Sequence, residues 1–280
     1  MNRLRFLSLL IVFSTAGCAP LGVFSPLRPF EKKLVFQPAK FPLGNYENRS
    51  PEIEDAYLAS PDGTELHGWF IDHPAPKAVA LFFHGNAGNV SLCDESLKLL
   101  NRRHQLAAMT MDYRGYGKSS GAPSEKGILM DARAARAWLA KRKGVSEASI
   151  LLLGQSLGGA VAVDLAAKDG AGGLVLASTF TSLPDAASDV FPWMLPKWNM
   201  TLKLASIDKI KNYHGPLLIS HGDADETISF EHGRRLFEAA NQPKEFVRIE
   251  NGKHNDPQSE EFRTALDRLI AKMEHVAFDR

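Results

Sequence analysis

Five stretches of this chain are short, nearly continuous apolar runs closed by a small or polar residue: AVALFFHG (78–85), LAAMTMD (106–112), ILLLG (150–154), GLVLAS (173–178) and PLLISHG (216–222). A strand with one wet face alternates apolar and polar residues. These runs do not alternate, so they read as strands buried on both faces. Helical patterns lie between and after them, over 89–102, 124–141, 157–168, 231–240 and 260–273. The second opens on Ser124-x-x-Gly127, a capping-box spacing without the acid. Strand alternating with helix implies a mostly parallel sheet covered on both faces, an α/β fold. EFVRIE (245–250) is more polar and suits an edge. Ahead of the alternation, EDAYLAS (54–60) and TELHGWFI (64–71) flank Pro61-Asp62-Gly63, which predicts an antiparallel hairpin. A chain of 280 residues has room for one such core.

One segment interrupts the alternation. Over about 180–213 the chain is rich in proline and tryptophan, as in VFPWMLPKWNM, and no strand fits. A connection this long reads as lid-like or as a packed surface subdomain. Phe191, Trp193, Met194 and Trp198 either line an apolar pocket or bury the segment.

The net charge of +1 leaves no electrostatic footprint for nucleic acid. Two cysteines do not make a disulfide scaffold. The first, Cys18, follows MNRLR, the apolar run FLSLLIVF and the small residues STAG. Basic region, short apolar region and small-residue cleavage site predict an export signal over 1–17. The run is too short to span a membrane as a helix; a buried N-terminal helix is the alternative. Thr15-Ala16-Gly17-Cys18 resembles a bacterial lipobox, with Thr15 where leucine is usual. That resemblance implies lipid attachment at Cys18, a membrane partner through that anchor, a tether over 18–30 and a domain over 31–280. With Ala19 rather than aspartate next, it implies an outer-membrane lipoprotein facing the periplasm; a soluble periplasmic or secreted protein stays open. Cys93 is then a lone thiol.

The chemistry gathers around Gly154-Gln155-Ser156-Leu157-Gly158, between an apolar run and a helical pattern. This is the G-x-S-x-G elbow in its structural setting. The turn is so tight that residues two positions either side of the serine face each other and must be small. Ser156 is thereby exposed at the sheet edge, near the positive end of a helix dipole.

Serine needs a base and an orienting acid. HGDADETI (221–228) follows one strand and NGKHND (251–256) the next. His254 is the candidate base. Asp225 is the candidate acid, three residues past Gly222; Asp223, Glu226 and Asp185 are alternatives. A metal reading of the acidic trio fails, because hard cations need more oxygen ligands. Two N–H donors are needed for an oxyanion. The candidates are the backbone N–H groups of Leu157 and of Asn86 in HGNAGN (84–89), with His84 as a structural residue of that loop. Gly117-Lys118-Ser119 ends like a P-loop, but Asp112 stands where its first glycine belongs, so no nucleotide or other cofactor is expected.

Taken together, HGNAGN, DYRGYGKSSGAPSEKGILMDARAARAWL, GQSLGGAVA, FTSLPDAA, HGDADETI and GKHND resemble the α/β-hydrolase superfamily. More narrowly, the chain is similar to serine hydrolases that include membrane-associated protein depalmitoylases. The resemblance implies a Ser156–Asp225–His254 triad and hydrolysis of a carboxylic ester or thioester. A peptidase or amidase with the same triad, and a hydrolase-like lipoprotein that binds without turnover, are the other readings.

Overall fold

The computed structural model describes residues 28–278. The expected signal segment, Cys18 and most of the tether lie outside these residues.

Eight strands form one sheet: β1 (Ile53–Ala59), β2 (Glu65–Ile71), β3 (Ala78–Phe83), β4 (Leu106–Met111), β5 (Leu151–Gln155), β6 (Gly173–Ala177), β7 (Leu217–Gly222) and β8 (Lys244–Ile249). Their spatial order is β1-β2-β4-β3-β5-β6-β7-β8. The hairpin β1–β2 is antiparallel and joins β4 antiparallel; every pair from β4 to β8 is parallel. The polar run EFVRIE is the β8 edge.

Each apolar run feeds both faces by the period of two along a strand. Leu152, Leu174, Leu176, Leu217 and Ile219 point to one side, under α3 (Glu125–Lys143), α4 (Leu157–Asp169) and α8 (Phe230–Ala239). Leu151, Leu153, Val175 and Leu218 point to the other, under α2 (Asp94–Arg102) and α9 (Glu260–Phe278). Two buried layers explain why the runs do not alternate.

The expected helix over 89–102 is divided. The Asn89 side chain accepts the Ser91 N–H and the Asp112 carboxylate accepts the Val90 N–H at 2.9 Å. These bonds hold a 3₁₀ turn at Val90–Leu92, and α2 starts only at Asp94. Ser124 does cap α3, its hydroxyl accepting the Gly127 N–H at 3.1 Å without help from an acid.

A helix not anticipated from sequence, α1 (Arg28–Val35), takes in the last residues of the expected tether. The segment after β6 forms short helices, α5 (Leu183–Val190), α6 (Pro196–Asn199) and α7 (Ser206–Lys209), with 3₁₀ turns between and after them. Phe191 and Trp193 are 48 % and 76 % exposed, so they do not bury this segment. The side chains of Met194 and Trp198 lie outside the described set.

The parallel order reverses around β3: β4, next in sequence, lies on one side of it and β5 on the other. A crevice for ligands opens at such a switch point, outside the carboxyl ends of the strands. The loop after β3 and the turn after β5 meet there.

Candidate active site

Ser156 has φ 52° and ψ −118°, a conformation sterically costly for any residue with a β-carbon. The two flanking glycines make it possible. A β-carbon on Gly154 would overlap the Gly158 backbone, and one on Gly158 would overlap the carbonyl of Phe83 at the end of β3. The elbow is therefore seated directly on the neighbouring strand. The Thr179 hydroxyl donates to the Ser156 carbonyl at 2.7 Å and fixes the turn from the β6 side. Ser156 caps no backbone N–H of α4, which leaves its hydroxyl free to face the crevice.

That hydroxyl donates to Nε2 of His254 at 3.1 Å. The other ring nitrogen, Nδ1, donates to Oδ2 of Asp225 at 2.8 Å. The structure thus brings together three residues widely separated in sequence. The loops bearing acid and base are stitched by backbone bonds: Asp223 N–H donates to Ile249 at 3.1 Å and Ala224 N–H to Gly252 at 3.0 Å.

Asp225 is buried and its carboxylate is saturated. Oδ1 accepts the N–H groups of Thr227 and Ile228, each at 2.9 Å. Oδ2 faces His254 and also His221, at 3.3 Å. Burial pushes this carboxyl up, but the bonds from His221, His254 and the Ile228 N–H outweigh it and hold it well below the usual carboxylate range. It stays ionised and keeps the His254 proton on Nδ1, leaving Nε2 to accept from serine.

The alternative acids are engaged elsewhere. Asp223 pairs with Arg248 at 2.7 Å, Asp185 pairs with Lys197 at 2.9 Å and accepts from Thr181, and Glu226 is exposed.

The loop after β3 reaches the serine. A β-carbon on Gly85 would stand 3.6 Å from that of Ser156. The backbone N–H groups of Asn86 and Leu157 have no acceptor among the described residues. The Asn86 side chain is turned away from the serine: its amide donates to Val35 O at 2.5 Å, and its oxygen accepts from Gln37 N–H at 3.1 Å and Tyr116 hydroxyl at 2.8 Å. His84 is buried and donates from Nδ1 to Gly85 O at 2.7 Å; burial pushes its pKa down and keeps it neutral. Sequence reading missed His221 and Tyr116. The His-Gly dipeptide opening the acid loop was a signal for the first; nothing local marks the second.

Cys93 is a free, buried thiol, pushed up by burial to about 12. Among the described residues no cluster of three or more His, Cys, Asp or Glu could hold a metal ion, and no helix is long and apolar enough to cross a membrane.

Sheet order, elbow and flanking loops define an α/β-hydrolase fold. The chain belongs to the Hydrolase_4 family, described as serine aminopeptidase, S33, whose model matches residues 74–214. It is 34 % identical over 250 residues to the uncharacterized protein Rv2307c of Mycobacterium tuberculosis, covering 89 % of each chain. It is also 34 % identical over 273 residues to the alpha/beta hydrolase domain-containing protein WAV2 of Arabidopsis thaliana, covering 88 % of each. In structure it is similar to the Pyrococcus furiosus esterase Pf2001, with TM-score 0.70 and 18 % identity, over 85 % of this chain and 97 % of that one. At that identity the likeness speaks to fold.

Proposed function

We propose that this chain hydrolyses a carboxylic ester or thioester through an acyl-enzyme on Ser156. The observation that carries the reading is the hydrogen-bonded line from Ser156 Oγ through His254 to Asp225, 3.1 Å and 2.8 Å long. Ser156 Oγ attacks the carbonyl carbon as its proton passes to His254 Nε2. Asp225 stabilises the imidazolium and does not itself take the proton. The N–H groups of Leu157 and Asn86 receive the oxyanion. Collapse expels an alcohol or thiol, which takes the proton from His254. Water then attacks the acyl carbon, gives its proton to His254 and releases the acid as Ser156 regains a proton.

The test is a panel of p-nitrophenyl esters and acyl thioesters graded by chain length, run on wild type and Ser156→Ala. Turnover by wild type that vanishes in the variant is expected. Turnover surviving in Ser156→Ala would overturn the assignment. The similarity to depalmitoylase-like hydrolases makes long-chain thioesters an essential arm, and the esterase relatives in fold support the ester arm.

The family description favours a second reading, cleavage of an N-terminal residue from a peptide. The same residues can cleave amides. Aminoacyl p-nitroanilides in the panel discriminate: this reading requires them to be turned over faster than esters of matched acyl group.

For location, the reading is an exported lipoprotein held in the outer membrane through Cys18, facing the periplasm. Its support is the sequence MNRLRFLSLLIVFSTAGC. Cys18→Ala should release the protein from the membrane fraction; continued fractionation with membrane would contradict it.

A further inference from the structure

His221 stands near the end of β7, is fully buried and approaches the same carboxylate oxygen of Asp225 as His254 does. Its Nε2 donates to the Ile228 carbonyl at 2.9 Å, and the same nitrogen faces Oδ2 of Asp225 at 3.3 Å, an electrostatic contact beside that bond. Its Nδ1 has no partner among the described residues. The Ile228 carbonyl, with the Asp225 carboxylate beside it, fixes the tautomer with the proton on Nε2. At Nδ1 stands the backbone of α8: a β-carbon on Gly233 would be 2.6 Å away. The Phe230 ring closes another side, edge-on at 6.0 Å. His221 is therefore held as a donor through Nε2.

These bonds make a closed circuit. Ile228 N–H donates to Asp225 Oδ1, His221 Nε2–H donates to Ile228 O, and His221 Nε2 closes the ring by its 3.3 Å contact with Asp225 Oδ2. A side chain that only filled this space could be apolar and leave no orphaned nitrogen. Burying an unpaired ring nitrogen costs free energy, so what the opposite nitrogen does must offset it.

We propose that His221 is a positioning residue for Asp225: it clamps the acid loop to β7 and shares the carboxylate with His254, which sets how strongly Asp225 holds the His254 proton. The proposal rests on the reading of Ser156, His254 and Asp225 as the hydrolytic residues. Charged or titratable groups on the packed elements are Asp223, Asp225 and Glu226 on the acid loop, Glu250, Lys253, His254 and Asp256 on the base loop, Lys244, Glu245 and Arg248 on β8, and Glu231, His232, Arg234, Arg235 and Glu238 on α8; Asp223 is paired with Arg248.

The full chain carrying His221→Leu, His221→Phe or His221→Gln provides the test, with two readouts. The first is the His254 pKa by NMR titration, which needs no turnover. Without the His221 donor, Asp225 pulls harder on the imidazolium, so His254 titrates at higher pH in the Leu and Phe variants. Gln places an amide N–H near the lost Nε2 and should restore the wild-type value. The second is steady-state hydrolysis: kcat falls roughly 10- to 100-fold in the donorless variants with KM little changed, the acid limb moves up, and Gln recovers most of the loss. A His254 titration identical in Leu, Phe and wild type overturns the proposal, as does a Gln variant no better than Leu. Should both donorless variants fail to fold, Gln decides alone: wild-type titration supports the proposal and a raised one overturns it. A chain without turnover whose His254 still shifts would sink the hydrolase reading and leave this coupling standing.

Discussion

The Glu31 carboxylate accepts both the backbone N–H and the hydroxyl of Thr201, and the N–H of Leu202 at 2.8 Å. It ties α1 to the stretch between α6 and α7 in the insertion after β6. A few residues on, Val35 and Gln37 are bound by the Asn86 side chain. The N-terminal segment thus straps the insertion to the loop beside Ser156. Glu31 is buried, so Glu31→Ala strands N–H groups at a cost of about 1–3 kcal/mol. Faster amide exchange at Thr201 and Leu202, and faster proteolysis within 190–204, are expected. Unchanged exchange would mean the strap holds by packing alone.

Why α1 escaped notice in the sequence follows from that bond. Eight residues beginning Arg-Pro have little intrinsic helix to display, and the contact that pins them is 170 residues away. The insertion is unreadable for a related reason. Pro192 and Pro196 cut it into pieces too short to show a 3.6 period. By contrast, the β5 elbow was legible because its constraint is local: Gly154 and Gly158 sit two residues from Ser156 and touch each other. Asp225 and His254 were legible because each follows a recognisable strand. The His-Gly dipeptide marks where His221 sits, but not its use, which depends on how Ile228 folds back.

Arg114 and Asp131 form a buried pair at 2.6 Å, extended by Asp62 at 2.8 Å and the Ser60 hydroxyl at 3.2 Å. The hydrogen bonds to Asp131 raise the Arg114 pKa further, so the guanidinium cannot shed its charge to relieve burial. Asp131→Asn should destabilise, but by less than the about 3–5 kcal/mol of a fully stranded buried charge, because Asp62 still pairs with Arg114. The double variant Arg114→Met with Asp131→Leu should recover a large part. Urea unfolding of the three proteins checks both statements.

Gly158→Ala places a methyl group into the Phe83 and His84 carbonyls, and neither backbone can retreat without moving β3. A loss of about 3 kcal/mol or more is expected, read as a lower urea midpoint, with Ser156 displaced. Wild-type stability in this variant would contradict the elbow geometry.

The Asp225 carboxyl is depressed in the folded chain relative to the unfolded one. Its contribution to stability is therefore complete above about pH 4, the unfolded value, and is lost as pH falls toward the lower native one. Asp225→Asn removes this dependence, so its unfolding free energy should fall less steeply with acid than that of wild type. The same variant should lose about 10⁴-fold in kcat, because the imidazole no longer has a partner that selects its tautomer. A parallel acid dependence in both proteins would show that the carboxylate is not held as the hydrogen bonds indicate.

The claim on which the rest depends is that Ser156 is a nucleophile activated by His254. Peptide mapping by mass spectrometry after exposure to a fluorophosphonate measures this without knowledge of the substrate. A single phosphonyl adduct is expected on the peptide containing Ser156, absent in Ser156→Ala and much slower to form in His254→Ala. An unmodified Ser156 in the wild-type chain, or an adduct that persists in Ser156→Ala, would contradict it.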